Sequence, residues 1–190
     1  MNRIAMFEKV SFEQFVSDVI HTFGDLNPYT RDEATIRAIY DSIKLPTRAT
    51  KGSAGYDIYS PFSVLIKVGN SINIPTGIRC QMNRNYALII APRSGMGFKS
   101  GIHLANTVGV IDSDYYRAEN EGHIFVKLVN DSAIAYDIRI DTNKAICQGL
   151  FLQYGVTIDD ETNVDRIGGF GSTDKIENNN VEVGALNDNR

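Results

Sequence analysis

The sequence predicts a mainly β domain, a jelly-roll-like barrel or sandwich, with two short helices ahead of it and a flexible C-terminal arm behind. Three observations carry that reading. From Pro46 onward apolar residues alternate with polar ones at period two, as in Ile72/Ile74, Ile78/Cys80/Met82 and Ile124/Val126/Leu128. Turn formers break the runs at short intervals, at Val68-Gly69-Asn70, Asn83-Arg84-Asn85, Asn130-Asp131-Ser132 and Asp141-Thr142-Asn143. Residues 1–45 keep a different rhythm, with apolar residues spaced for one face of a helix.

Taken in order, an edge strand is expected near Arg3–Val10. Ser11 then precedes the stripe Phe12, Phe15, Val16, Val19, Ile20 and Phe23, and Gln14 completes a capping box. Thr30 and Glu33 repeat that signal before Ile36, Ile39, Tyr40 and Ile43, and Pro46 closes the second helix. Tyr86–Ala91 reads as a short apolar strand, and Ile138 and Ile140 share a face of another. The expected organisation is a strand plus helical extension packing on the core over 1–45, a β-domain over 46–163, and a flexible arm over 164–190. Residues 174–190, with Asn178-Asn179-Asn180, read as disordered.

A chain of 190 residues is long enough for one domain with a real core. Hydrophobic content of 43% and charged content of 22% place it among globular proteins. A net charge of −4 argues against broad nucleic-acid affinity, so a polyanionic ligand must be held by locally placed arginines. The N-terminus has no apolar h-region and no run reaches membrane-spanning length, so the expectation is a cytoplasmic protein with no membrane contact. Cys80 and Cys147 fit no metal spacing and read as small buried hydrophobes in a reducing compartment. His21, His103 and His123 form no zinc-type pair.

Chemistry concentrates in five segments. The last is Arg166-Ile167-Gly168-Gly169-Phe170-Gly171-Ser172-Thr173. Its glycines leave backbone N–H groups able to wrap an anion, Ser172 and Thr173 add hydroxyl donors, and Arg166 adds fixed charge. Phe170 offers a ring on which a base can stack. With no Walker lysine, the segment reads as a flap that closes over a stacked, phosphorylated ligand. Upstream, Gly52-Ser53-Ala54-Gly55-Tyr56-Asp57 crowds small residues before a carboxylate. Pro92-Arg93-Ser94-Gly95 places an arginine, a hydroxyl and a glycine at the end of an apolar strand, a nest for phosphate oxygens. Asn106 to Tyr115 carries Asp112, Asp114 and an aromatic ring on a hairpin-like turn, and Gln148 is a lone amide after an apolar step.

These segments, in this order, resemble the five motifs of the trimeric dUTPases, and the chain looks like a phage- or Gram-positive-like member with an N-terminal helical extension. The similarity runs from Leu45 to Thr173. The resemblance implies hydrolysis of dUTP to dUMP and pyrophosphate, with water attacking the α-phosphorus and Asp112 as general base. It implies that Tyr115 packs on the deoxyribose and excludes a 2′-hydroxyl. The uracil would be read by the main chain of Asn106–Tyr115, Gly109 included, with Asn106 contributing. Phosphates would be held by Arg93, Ser94, Gly95 and Gln148, and by Arg166, Gly171, Ser172 and Thr173 of the flap, with Phe170 over the base. Mg²⁺ would bridge the phosphates, with Asp57 reaching it through water, and three shared sites would form in a homotrimer.

The pattern departs from the family twice. The third motif is lengthened between Tyr115 and His123, and the flap is one residue short, with only Ile167 between Arg166 and Gly168. Arg139 is a fallback cation. Two alternatives stand beside this reading. One is a dCTP deaminase on the same scaffold, against which Lys127 stands where that chemistry needs a glutamate. The other is a binding or regulatory protein whose N-terminal helices dock a partner, the competing role for those helices being to cover an edge of the β-domain.

Overall fold

The computed structural model describes residues 2–24, 27–30, 32–131, 136–164 and 168. In chain order the elements are β1 (Ala5–Lys9), α1 (Phe12–Phe23), α2 (Glu33–Ser42), β2 (Thr47–Arg48), β3 (Tyr56–Tyr59), β4 (Val64–Ile66), β5 (Ser71–Pro75), β6 (Ile78–Met82) and β7 (Tyr86–Pro92). They continue with α3 (Ser94–Ser100), β8 (Ile102–Leu104), β9 (Gly109–Ile111), a 3₁₀ helix (Ser113–Arg117), β10 (Phe125–Asn130), β11 (Ile138–Ile140) and β12 (Ala145–Gln153). Three of the predicted turns, at 68–70, 83–85 and 141–143, fall between consecutive strands, and Asn130 ends β10, with Ser132 outside the described residues.

A five-stranded sheet in the order β2-β3-β12-β7-β9 faces the chemistry. A three-stranded sheet β5-β10-β8 and the pairs β1-β6 and β11-β4 complete the β structure, and every pairing is antiparallel. The alternation read from the sequence is realised: Ile78, Cys80 and Met82 are buried, as are Ile124, Val126 and Leu128. Together with Ile58, Leu88 and Ile90 of the five-stranded sheet they form one core cluster. The fully buried Ser60 and Asn130 are satisfied, as their desolvation requires: Ser60 donates to the Phe62 carbonyl, and Asn130 donates to those of Ile66 and Tyr136. Among the described residues no helix is long and apolar enough to cross a membrane.

The N-terminal segment belongs to this core. β1 zips onto the edge of β6 from Ala5↔Met82 to Lys9↔Ile78. Phe7 packs on Tyr56 and Phe151 of the large sheet, with ring centroids 5.5 and 5.8 Å away. From α1, Phe15 lies parallel to Phe62 at 6.1 Å and Phe23 meets the same ring edge-on at 5.0 Å. Phe15 and Val19 are fully buried. The helices therefore cover the β-domain with the apolar stripe the sequence displays.

Local expectations are corrected in three places. Ser11 caps α1 by accepting the Gln14 N–H at 3.1 Å, but Gln14 sends its own amide to Asp18. The Ser11 N–H goes instead to Glu121 at 2.7 Å, because a carboxylate is the stronger acceptor. The second helix starts at Glu33 under an Asp32 cap, whose carboxylate takes the Thr35 N–H at 2.8 Å. Thr30 turns its hydroxyl to the Gly24 and Asn27 carbonyls. The third motif is no hairpin: Asp112 leads from β9 into the 3₁₀ helix.

Candidate active site

Strand β7, between β12 and β9, separates the site into two ends. At its C-terminal end the first, second and fourth motifs converge. Register pairs Gln148 with Asp57 on one side and with Ala91 on the other. Arg93, just past the strand, meets Asp57 in a forked pair, Nε to Oδ1 at 3.0 Å and Nη2 to Oδ2 at 3.3 Å. That geometry fixes the guanidinium plane and leaves it partly exposed. Gln148 donates its amide to the Pro92 carbonyl at 3.0 Å. Gly55 makes room for it, since a Cβ there would sit 2.5 Å from the Gln148 Oε1. Ser94 and Gly95 follow, exposed in the first turn of α3. The result is a partly exposed guanidinium, paired with a carboxylate, with a hydroxyl and an amide beside it.

Gly109 opens β9 opposite Ile90, where a Cβ would press to 3.2 Å of the Ile90 Cβ. Asn106 lies exposed in the tight turn before it, where the Val108 N–H bonds the Asn106 carbonyl at 2.6 Å. At the other end of β7, Ile111 faces Leu88, which brings Asp112 beside Ala87. Asp112 and Asp114 line a cleft of about 740 Å³ together with Gln81, Arg84, Tyr116 and Arg117. Tyr115 is only 4% exposed, its hydroxyl donating to the His123 carbonyl at 2.9 Å and accepting from Asn120 at 2.8 Å.

Strand geometry sets the distance between the two ends. At roughly 3.3 Å per residue, Ala87 and Arg93 are about 20 Å apart. The strand therefore separates the backbone that carries Asp112 from the backbone that carries Arg93 by most of its length. Arg166, Phe170, Gly171, Ser172 and Thr173 of the flap, and the tail 174–190, lie outside the described residues. Arg139 pairs with Asp141 at 2.9 Å on the surface. Burial pushes the Cys80 thiol up to about 12 and that of Cys147 higher still, so neither serves as a nucleophile. Among the described residues no group of three or more His, Cys, Asp and Glu is placed to hold a metal ion. The sequence reading missed Glu8, Arg79, Tyr116 and Glu121, which gather around the 3₁₀ helix; the lengthened third motif was the one signal of them.

An antiparallel β scaffold that offers an oriented guanidinium at one end and carboxylates in a cleft at the other suits a hydrolase of phosphorylated ligands. The family model described as dUTPase matches residues 41–173, and the chain belongs to the dUTPase family. It is 39% identical over 134 residues to the deoxyuridine 5'-triphosphate nucleotidohydrolase of Lactococcus lactis, a match covering 69% of this chain and 88% of that protein. The protein of the same name from Nautilia profundicola is 35% identical over 143 residues, covering 74% and 97%. The crystal structure of dUTPase from Streptococcus mutans superimposes with a TM-score of 0.56 at 35% identity, covering 61% of this chain and 89% of that one. A mutant dUTPase of S. aureus phage phi11, described with a structural Mg(II) ion, shares the fold at a TM-score of 0.54 and 18% identity, covering 64% and 90%.

Proposed function

We infer that the chain is a dUTP diphosphatase, hydrolysing dUTP to dUMP and pyrophosphate, and that Asp112 is its general base. Family membership and relatives of that name support the activity. The observation that carries the residue assignment is the position of Asp112 on the wall of an open cleft, at the mouth of the strand whose other end holds the nest. Asp112 accepts a proton from a water as that water attacks the α-phosphorus, and positioned general-base catalysis of this kind supplies about 10²–10⁴-fold. Arg93, pre-oriented by Asp57, with Ser94, Gly95 and Gln148, binds the phosphate oxygens and stabilises the charge that moves onto the leaving pyrophosphate. Asn106 and the main chain through Gly109 read the uracil, and Tyr115 sets the sugar's clearance. Arg166, Phe170, Gly171, Ser172 and Thr173 close the site as a flap.

Mg²⁺ fits this site as an ion carried by the substrate. Asp57 is a hard oxygen donor whose carboxylate is already shared with Arg93, which suits one contact through water. When bound, the ion neutralises phosphate charge and fixes the triphosphate conformation.

The roughly 20 Å of strand between Ala87, beside Asp112, and Arg93 supports a site shared between copies, Asp112 from one and the nest from another, in a homotrimer. The cleft walls favour such burial, since Val110, Leu152 and Tyr154 are apolar and 60%, 57% and 44% exposed. A cytoplasmic setting suits the two free, buried thiols.

Pyrophosphate release from dUTP, dTTP, dCTP and UTP, with and without EDTA, tests the activity. Release from dUTP alone, lost on chelation, is the expected result. Asp112→Asn should lower kcat by about 10²–10⁴-fold with nucleotide affinity retained; a near-normal rate refutes the role. Ammonia release from dCTP would revive the deaminase reading, which the exposed Lys127 on β10 disfavours.

A further inference from the structure

The loop that leaves Asp112 is fastened by residues outside the family match. After the 3₁₀ helix the chain returns through Glu121 and Gly122, with φ of +56° and +71°. The return is tight, since a Cβ on Gly122 would lie 2.6 Å from the Tyr115 carbonyl oxygen. Tyr116 donates its hydroxyl to Glu8 Oε2 at 2.6 Å. Arg79 stands directly opposite Glu8 in the β1–β6 ladder, meets the same oxygen at 3.2 Å, and lays its guanidinium 4.5 Å from the centre of the Tyr116 ring. Glu121 accepts the Ser11 N–H at 2.7 Å and the Ser11 hydroxyl at 2.6 Å. Behind them, Gly77 N–H donates to His123 Nε2 at 2.7 Å, which leaves the proton on Nδ1, facing Asp18 at 2.6 Å.

These contacts bear on the reaction because of where the loop begins. The Tyr115 N–H bonds the Asp112 carbonyl at 3.2 Å, so a turn of the 3₁₀ helix carries the Asp112 backbone with it. Tyr116 itself lines the cleft beside Asp112. The hydrogen bond to Glu8 raises the Tyr116 hydroxyl above its ordinary 10.0, which keeps it a donor at neutral pH. Glu8 and Ser11 both precede residue 41, where the family match starts.

We propose that Glu8 and Tyr116 are a positioning pair for the reaction: through them the N-terminal strand holds the 3₁₀ loop that aims the Asp112 carboxylate into the cleft. The proposal rests on Asp112 being the general base. Its test is steady-state kinetics on the full chain for Tyr116→Phe, Glu8→Ala, Glu8→Gln and the double variant Glu8→Ala/Tyr116→Phe, with thermal midpoints measured alongside. Tyr116→Phe and Glu8→Ala should each lower kcat about tenfold while KM for dUTP stays within about twofold. Glu8→Gln, whose amide oxygen still accepts from Tyr116, should keep most of kcat, and the double variant should be no slower than Glu8→Ala. Unchanged kcat in Tyr116→Phe and Glu8→Ala, against an inactive Asp112→Asn, overturns the pair and spares the base. Losses that only follow the thermal midpoint, or a Glu8→Gln as slow as Glu8→Ala, also overturn it. Full turnover in Asp112→Asn removes the base assignment and the pair with it.

Discussion

The two ends of β7 are built on different principles. The nest end is assembled from neighbours within one sheet: Asp57, Gln148 and Ala91 lie in one register row, and Arg93 folds back onto Asp57. The Asp112 end hangs on a 3₁₀ turn, which closes few hydrogen bonds of its own, and its support comes from β1 and the cap of α1. The comparison teaches that the half holding Arg93 lies wholly in the part of the chain that the family model matches. The half that holds the carboxylate leans on an N-terminal segment that the family match does not include.

The largest effect that bears on this contrast is on stability. Phe15→Ala removes a fully buried ring stacked on Phe62 and should cost about 3–5 kcal/mol, read as a fall in the urea midpoint of a single transition. Two separate transitions would mean that the N-terminal segment is its own unit and the contrast is misdrawn.

Gly55→Ala probes the nest end alone. The new methyl displaces the tip of Gln148, a flexible side chain, so stability should hardly move. The phosphate contact should suffer, with kcat/KM for dUTP falling about tenfold. A drop shared equally with stability would show that Gly55 serves the fold.

The smallest effect belongs to the clamp on the loop. Burial pushes Glu121 up, but the Ser11 hydroxyl and N–H and then Arg79 outweigh it and hold the carboxyl below its ordinary 4.5. A depressed folded value stabilises the protein above pH 4.5, and that contribution disappears as pH falls through the folded value. Glu121→Gln should therefore be less stable than the parent at pH 7, by under about 1 kcal/mol for so accessible a group. The two should converge in acid, which urea midpoints across pH will read. Parallel curves down to acid pH would remove Glu121 from the clamp.

What was legible in the sequence follows the same division. Strands announced themselves because period-two burial leaves a mark within a few residues, as at Ile78, Cys80 and Met82. Pro92-Arg93-Ser94-Gly95 stood out as a candidate nest because it is contiguous and its chemistry local. The helix caps were half readable: Ser11 was found, but Thr30 lost to Asp32, a better cap two residues on. Glu121 displaced Gln14 across 110 residues, and Glu8 met Arg79 only through the β1–β6 register. Such pairings depend on tertiary contact and leave no trace in spacing. The 3₁₀ turn after Asp112 was mistaken for a hairpin because a short turn and a hairpin share the same small polar residues.

The central claim is that one site draws Asp112 and Arg93 from different copies. It is tested most directly by mixing two inactive variants, Asp112→Asn and Arg93→Ala, refolded or expressed together. A shared site predicts that the mixture regains about a quarter of the parent activity, since random assembly of a closed oligomer pairs an intact carboxylate with an intact nest at that frequency. A mixture as inactive as either variant alone would contradict it.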